Sequence, residues 1–175
     1  MQFTNRSNRI LQPARPVFVY LSLFFALLLD YVPFGAWSDY VPDFVALVLA
    51  FWCIREPLYI GMGFGFLLGL LVDIGQGAAM GQHALAYVVL AFLANALARR
   101  VMWFPALLQA VHVLPILLIS QVTMAAVHWV AENGQVPELS YFLPSIVGAI
   151  AWVPLTYILL FPQFQPVDRD ENRPI

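Results

Sequence analysis

Only 10% of the 175 residues are charged, cysteine occurs once, and all eight basic residues are arginine. So little charge excludes an ordinary soluble domain, in which about a quarter of residues are charged. A lone Cys53 excludes an internal disulfide, and within its apolar run it reads as a small buried hydrophobe. There is no HExxH or other close ligand spacing, no paired nucleophile and base, and no cofactor fingerprint, so no motif marks an enzyme, a cofactor site or a metal site. Nothing points to nucleic acid, and the formal net charge of -2 says little about partners in a chain whose surface faces lipid.

What is abundant is apolar surface. Hydrophobic residues make up 62% of the chain, and several windows approach the roughly 17–25 apolar residues that cross a bilayer. Arg6, Arg9 and Arg15 precede a run that continues to Val32 without an Ala-x-Ala cleavage pattern, which predicts a retained signal anchor. The expected fold class is an all-α membrane protein of six spans. A polar tail over 1–15 precedes a membrane domain over 16–161, and a proline- and charge-rich tail over 162–175 is expected to be disordered.

The spans are expected at Pro16 to about Val32, Phe44 to Ile54, Leu58 to Ile74, His83 to Leu97, about Ala106 to His128, and Phe142 to Phe161. Asp43 is the natural N-cap of the second span, which rises only about 17 Å and therefore either thins the bilayer or re-enters it. Trp37, Asp39 and Tyr40 suit an interfacial loop, and Arg99–Arg100 ends the fourth span. Pro105 and Pro115 divide the long run from Val101 to Val130 into an interfacial start and a span kinked near Pro115. Pro144 falls in the first turn of the last span, and Pro154 predicts a kink there.

Six spans place Arg6, Arg9, Arg15, Arg55, Arg99, Arg100, Arg169 and Arg173 on one face of the membrane and none on the other. The positive-inside rule makes that face cytoplasmic, with both termini on it. Asp30, Asp39, Asp43, Asp73, Glu132 and Glu138 then gather at the outer ends with His83 and His128. A metal or proton relay could use such a set, but acids also collect wherever arginine is excluded.

The chain is organised around Phe66 to Gly81. Gly61, Gly65 and Gly69 recur every fourth residue, so they stack on one helix face and admit another backbone closely. Asp73 is expensive near the bilayer centre and is expected to cap the turn or the next helix, or to meet a partner. Gly77 and Gly81 permit a tight turn of positive φ. Gln109, His112, Ser120 and Gln121, with Asn95, read either as interhelical hydrogen-bonding groups or as the lining of a midplane cavity. No charge-lined helix face suggests a channel or pump, and no inverted repeat suggests a repeat-built transporter.

With these residues laid out, the chain resembles the MreD family of bacterial rod shape-determining membrane proteins. The resemblance rests on Phe66, Gly69, Leu70, Leu71, Asp73, Gly77 and Gly81 in order, followed by Ala84-Leu85. Pro42-Asp43-Phe44, Phe51-Trp52-Cys53, Arg99-Arg100, His112-Val113-Leu114-Pro115 and Tyr141-Phe142 also match, and the likeness runs from about 16 to 163. It implies a non-enzymatic, cofactor-free scaffold of the lateral cell-wall elongation machinery in the bacterial inner membrane. The implied direct partner is MreC, within an assembly that includes MreB, RodA and a class B penicillin-binding transpeptidase, all in contact with membrane lipid. It also implies a fold like the six-helix substrate-binding subunit of energy-coupling-factor transporters. The family motif is then the candidate partner contact, while Gly61, Gly65 and Gly69 either pack the bundle or dock MreC. The alternative is a small-molecule or lipid transporter subunit with a cavity lined by Gln109, His112, Ser120 and Gln121.

Overall fold

The computed structural model describes residues 14–35, 40–57, 59–131 and 138–163. Trp37, Asp39, Leu58, Glu132, most of both tails (1–13 and 164–175) and with them the arginines at 6, 9, 169 and 173 lie outside the described residues. Six α-helices follow one another: α1 (Pro16–Asp30), α2 (Phe44–Arg55), α3 (Met62–Gln76), α4 (Gln82–Met102), α5 (Ala106–Ala131) and α6 (Leu143–Leu160). Among the described residues there is no strand. Three stretches, Gln82–Met102, Ala106–Ala131 and Leu139–Gln163, are long and apolar enough to cross a membrane.

Local chemistry sets the helix ends. Asp43 starts α2 by accepting from the Ala46 amide at 2.7 Å. The third helix begins at Met62, four residues later than its apolar run suggests, because Gly61 is its N-cap in extended conformation. The fourth passes through Arg99 and Arg100 to Met102, since neither arginine breaks a helix and the first breaker is Pro105. Pro115 and Pro154 sit inside the continuous helices α5 and α6.

The short α2 is the centre of the bundle. Every residue from Val45 to Ile54 is buried, as an all-round apolar helix must be. α1 packs on α2, while α4 packs on α2, α3 and α5, and α6 packs mainly on α5. Phe51 meets Trp52 and Trp152 with ring centroids 5.0 and 5.9 Å apart, and the Trp52 indole donates to Ser22 Oγ at 2.8 Å. Successive helices run antiparallel. The end of α1 meets the start of α2 through Asp30, while the Ala14 amide, before α1, reaches Glu56 beyond the end of α2. Arg15, Arg55, Arg99 and Arg100 consequently share one end of the bundle, and Asp30, Asp43 and Asp73 the other.

The backbones of α3 and α4 approach each other closely. A Cβ on Gly69 would fall onto the backbone of Ala84 and His83, and one on Gly65 would lie 2.9 Å from the Tyr87 carbonyl oxygen. Gly61 and Gly63 have open space. We expect Gly69→Ala to destabilise the protein by at least about 2 kcal/mol through overpacking. Exposed Gly63→Ala should stabilise it by about 0.5–1 kcal/mol through helix propensity. Thermal melting of the detergent-solubilised variants checks the opposite signs.

Candidate functional site

The turn from α3 to α4 builds the arginine-free end. Gly77 ends α3 in the left-handed conformation at φ 64°, and the Ala78 amide reaches back to the Asp73 carbonyl at 3.1 Å. This is a Schellman closure, which glycine permits without strain. Gly81, at φ 98°, launches α4. Gly65, Gly69 and Asp73 lie at intervals of four and share the face of α3 that meets α4. Because Gly69 lets the backbones touch, the Asp73 carboxylate reaches the exposed amides of the next helix.

Asp73 is 2% exposed and surrounded by donors. Its Oδ1 accepts from the His83 amide at 2.9 Å and from His83 Nδ1 at 2.8 Å. Its Oδ2 accepts from the Gly81 amide at 2.8 Å and the Ala84 amide at 3.5 Å. A helix start leaves four amides unsatisfied, so Asp73 caps α4 from the neighbouring helix. Its negative charge also faces the positive end of the α4 dipole.

The same device stands at the start of α2. Asp30, the last residue of α1, accepts from the Phe44 and Val45 amides at 2.9 and 3.2 Å. Asp43 receives the Tyr87 hydroxyl at 2.8–2.9 Å besides its own capping bond. Tyr87 and His83 are one turn apart on α4, with rings 5.9 Å apart, so α4 ties both carboxylate clamps together. Ser120 of α5 donates to the Ala86 carbonyl at 3.3 Å. Gln121 donates to the Tyr141 carbonyl and accepts from the Ser145 hydroxyl, which fixes α6 to α5.

Above these clamps lies a half-open cavity of about 620 Å³, to which all six helices or their flanking turns contribute. A narrow cleft of about 40 Å³, room for about one water, lies between α2, α5 and α6 and is lined in part by Ser120 and Gln121. Gln109 and His112 are elsewhere. Gln109 Nε2 donates to the Phe104 carbonyl at 2.9 Å, and the His112 ring stacks on Phe104 at 4.6 Å. The four polar residues of α5 therefore do not meet in one cavity. Asn95 Oδ1 is buried without a hydrogen-bond partner among the described residues. Among the described residues no three acidic, imidazole or thiol side chains converge as metal ligands.

The motif residues divide between two faces of α3. Gly69 and Asp73 face α4, whereas Phe66 and Leu71 are 45% and 48% exposed and Leu70 is half-buried. The Leu71 carbonyl takes the Tyr31 hydroxyl at 2.6 Å, and the Tyr31 ring lies where a Cβ of Gly75 would be. Gly75 falls off the four-residue row of glycines, and Tyr87 is one aromatic among many, so neither carries a sequence signal of its role.

The described residues thus define an all-helical membrane protein whose helices are tied at one end by carboxylate caps. Within that class, the sequence model for rod shape-determining protein MreD matches residues 10–164, and the chain belongs to the MreD family. That family is one of structural proteins involved in determining rod shape. No solved structure matches the chain, so the likeness to a transporter subunit rests on the family resemblance alone.

Replacing Asp73 with Ala strands several amides and is expected to cost about 2–4 kcal/mol, counting roughly 1–3 kcal/mol for unsatisfied groups and about 1 kcal/mol for the cap. Asp73→Asn, which keeps an acceptor oxygen, should recover at least half of that loss. Equal melting temperatures for Asp73→Ala and wild type would contradict the capping role.

Proposed function

We propose that the protein is a non-enzymatic scaffold subunit of the lateral cell-wall elongation machinery, and that it binds MreC directly. On this reading it helps connect cytoplasmic MreB to the synthases of the same assembly, RodA and the class B transpeptidase. The observation that carries the reading is the family match across residues 10–164. We further infer six membrane spans over 16–161 in the bacterial inner membrane, with both termini cytoplasmic. The gathering of the described arginines at one end of the bundle supports that orientation.

The contact for MreC is assigned to the outward face of α3. Gly65, Gly69 and Asp73 are taken up by packing within the chain, so they act by holding α3 rigid. Exposed Phe66 and Leu71 flank Leu67 on the lipid side of α3, with half-buried Leu70 between them, and offer side chains to a membrane helix of a partner. Gly77 and Gly81 fix the turn that sets the outer end of this surface. Of the four residues of the transporter alternative, Ser120 and Gln121 lie beside the narrow cleft, and Gln121 also lines the larger cavity.

Co-expression with MreC and purification in detergent tests the assignment. We expect the Phe66→Ala/Leu71→Ala double variant to retain less than a tenth of the MreC recovered with wild type, at an unchanged melting temperature. Exposed Leu85→Ala on α4 should retain all of it. Undiminished recovery with the double variant would move the contact to another face, and no MreC with folded wild type would overturn the scaffold reading.

A further inference from the structure

The cavity at the arginine-free end has a chemistry that the scaffold reading does not use. Its floor is the start of α2 at Pro42 and Asp43, and α5 continues seven residues beyond the lining residue Met124 to Ala131, about 10 Å of helix. The short central helix thus leaves a hollow among longer neighbours. At about 620 Å³ it is the size of small-molecule sites, which run from roughly 300 to 1,000 Å³.

The charged lining is one-sided. Asp30, Asp43 and Glu138 contribute carboxylates, and among the described residues no arginine lines the cavity. Asp30 and Asp43 share the N-terminus of α2, which supplies only about half a positive charge. Together with Glu138 they leave the described lining acidic, with no arginine beside them.

His83 adds an independent feature. Its residue is 9% exposed, and Nδ1 must carry the proton it donates to the Asp73 carboxylate. Nε2 has no hydrogen-bond partner among the described residues, and His83 lines the cavity. An imidazole fixed by a carboxylate thus presents to the cavity a second ring nitrogen that nothing within the described chain uses. The rest of the lining mixes apolar side chains, Val32, Phe34, Val41 and Met124 among them, with the neutral polar groups of Gln76, Gln121, Ser140 and Tyr141.

We propose that this cavity binds an organic cation bearing N–H donors on an apolar body, of the primary ammonium type. Its ammonium lies against Asp30 and Asp43 with His83 Nε2 as a further acceptor, and its body lies along the apolar side chains. Phosphate- and carboxylate-bearing groups are rejected, because the acidic lining would repel them and no arginine among the described residues would receive them. The ammonium can come from a free small molecule or from an aminated lipid headgroup, since the cavity opens where the helices end.

The test uses the purified full chain in detergent, with benzylammonium, benzyl alcohol and benzoate as probes of one shape and three charges. Ligand that binds the native state raises the melting temperature in proportion to its occupancy. Benzylammonium is expected to give a saturable rise, benzyl alcohol the same rise only at tenfold or higher concentration, and benzoate none. Asp30→Asn and Asp43→Asn keep an oxygen for the α2 amides and should each raise the half-saturating benzylammonium concentration at least tenfold. Glu138→Gln, at a side chain that caps no helix, should raise it at least threefold and serves if the other variants melt early. Repetition in nanodiscs identifies the source. A response weakened tenfold by phosphatidylethanolamine relative to phosphatidylglycerol assigns the site to a lipid ammonium, and an equal response assigns it to a free cation. Equal effects of the three probes, no effect, or an affinity unchanged in all three variants would overturn the proposal. Because no probe is a protein, failure to recover MreC leaves this result unaffected.

Discussion

A helix that starts inside a membrane bundle presents amide donors that lipid cannot satisfy, and this chain meets that constraint with carboxylates borrowed from the preceding helix. Asp30 at the end of α1 serves the amides of α2, and Asp73 in the last turns of α3 serves those of α4. The third hairpin is tied differently: Gln121 of α5 donates to the Tyr141 carbonyl and accepts from the Ser145 hydroxyl, and so serves no amide of α6. A carboxylate clamp, used twice, and this neutral tie set the registry of the three hairpins at the same end of the bundle. Charge is used where the helix start is most enclosed, and there the helix dipole repays part of the desolvation of the carboxylate.

That registry dictates the glycines. A carboxylate on α3 reaches the amides of α4 only if the two backbones nearly touch, so Gly69 and Gly65 lie below Asp73 on the same face. Tyr87 then extends the arrangement sideways, since its hydroxyl joins α4 to the Asp43 cap of α2. The central helix is short because both its ends are tied early, at Asp43 and at the Glu56 turn. The hollow above it follows from the same shortness.

The sequence shows some of this plainly and hides the rest. Apolar run length and the breakers Pro42, Pro105 and Gly77 are local signals, and they locate six helices to within a few residues. The glycine spacing and the acid one turn beyond its last member also point to α3, because a period of four and a charge within an apolar run are visible in one dimension. The spacing overstates the row, since Gly61 caps α3 and faces open space. What stays hidden depends on distance across the bundle. Asp30 reads as the end of a span until α2 folds back beneath it. Gln109 and Gln121 look alike in sequence, yet twelve residues of helix, about 18 Å, put them at opposite ends.

These ties have a consequence for the outer surface of the bundle. α4 uses its faces on α2, α3 and α5, and α2 is buried on every side, so neither has much surface to offer another chain. α1 and α3 each pack mainly on a single neighbour and expose Phe24, Phe25, Phe66, Leu67 and Leu71. In lipid such exposure costs nothing, so it can be kept for association driven by close packing. Association of that kind requires a surface that does not rearrange. The carboxylate caps provide it, because turning α3 about its axis would pull Asp73 from the α4 amides and drive a larger residue into the place of Gly69. The buried polar network and the exposed apolar face are therefore two sides of one helix, and the first fixes the geometry of the second.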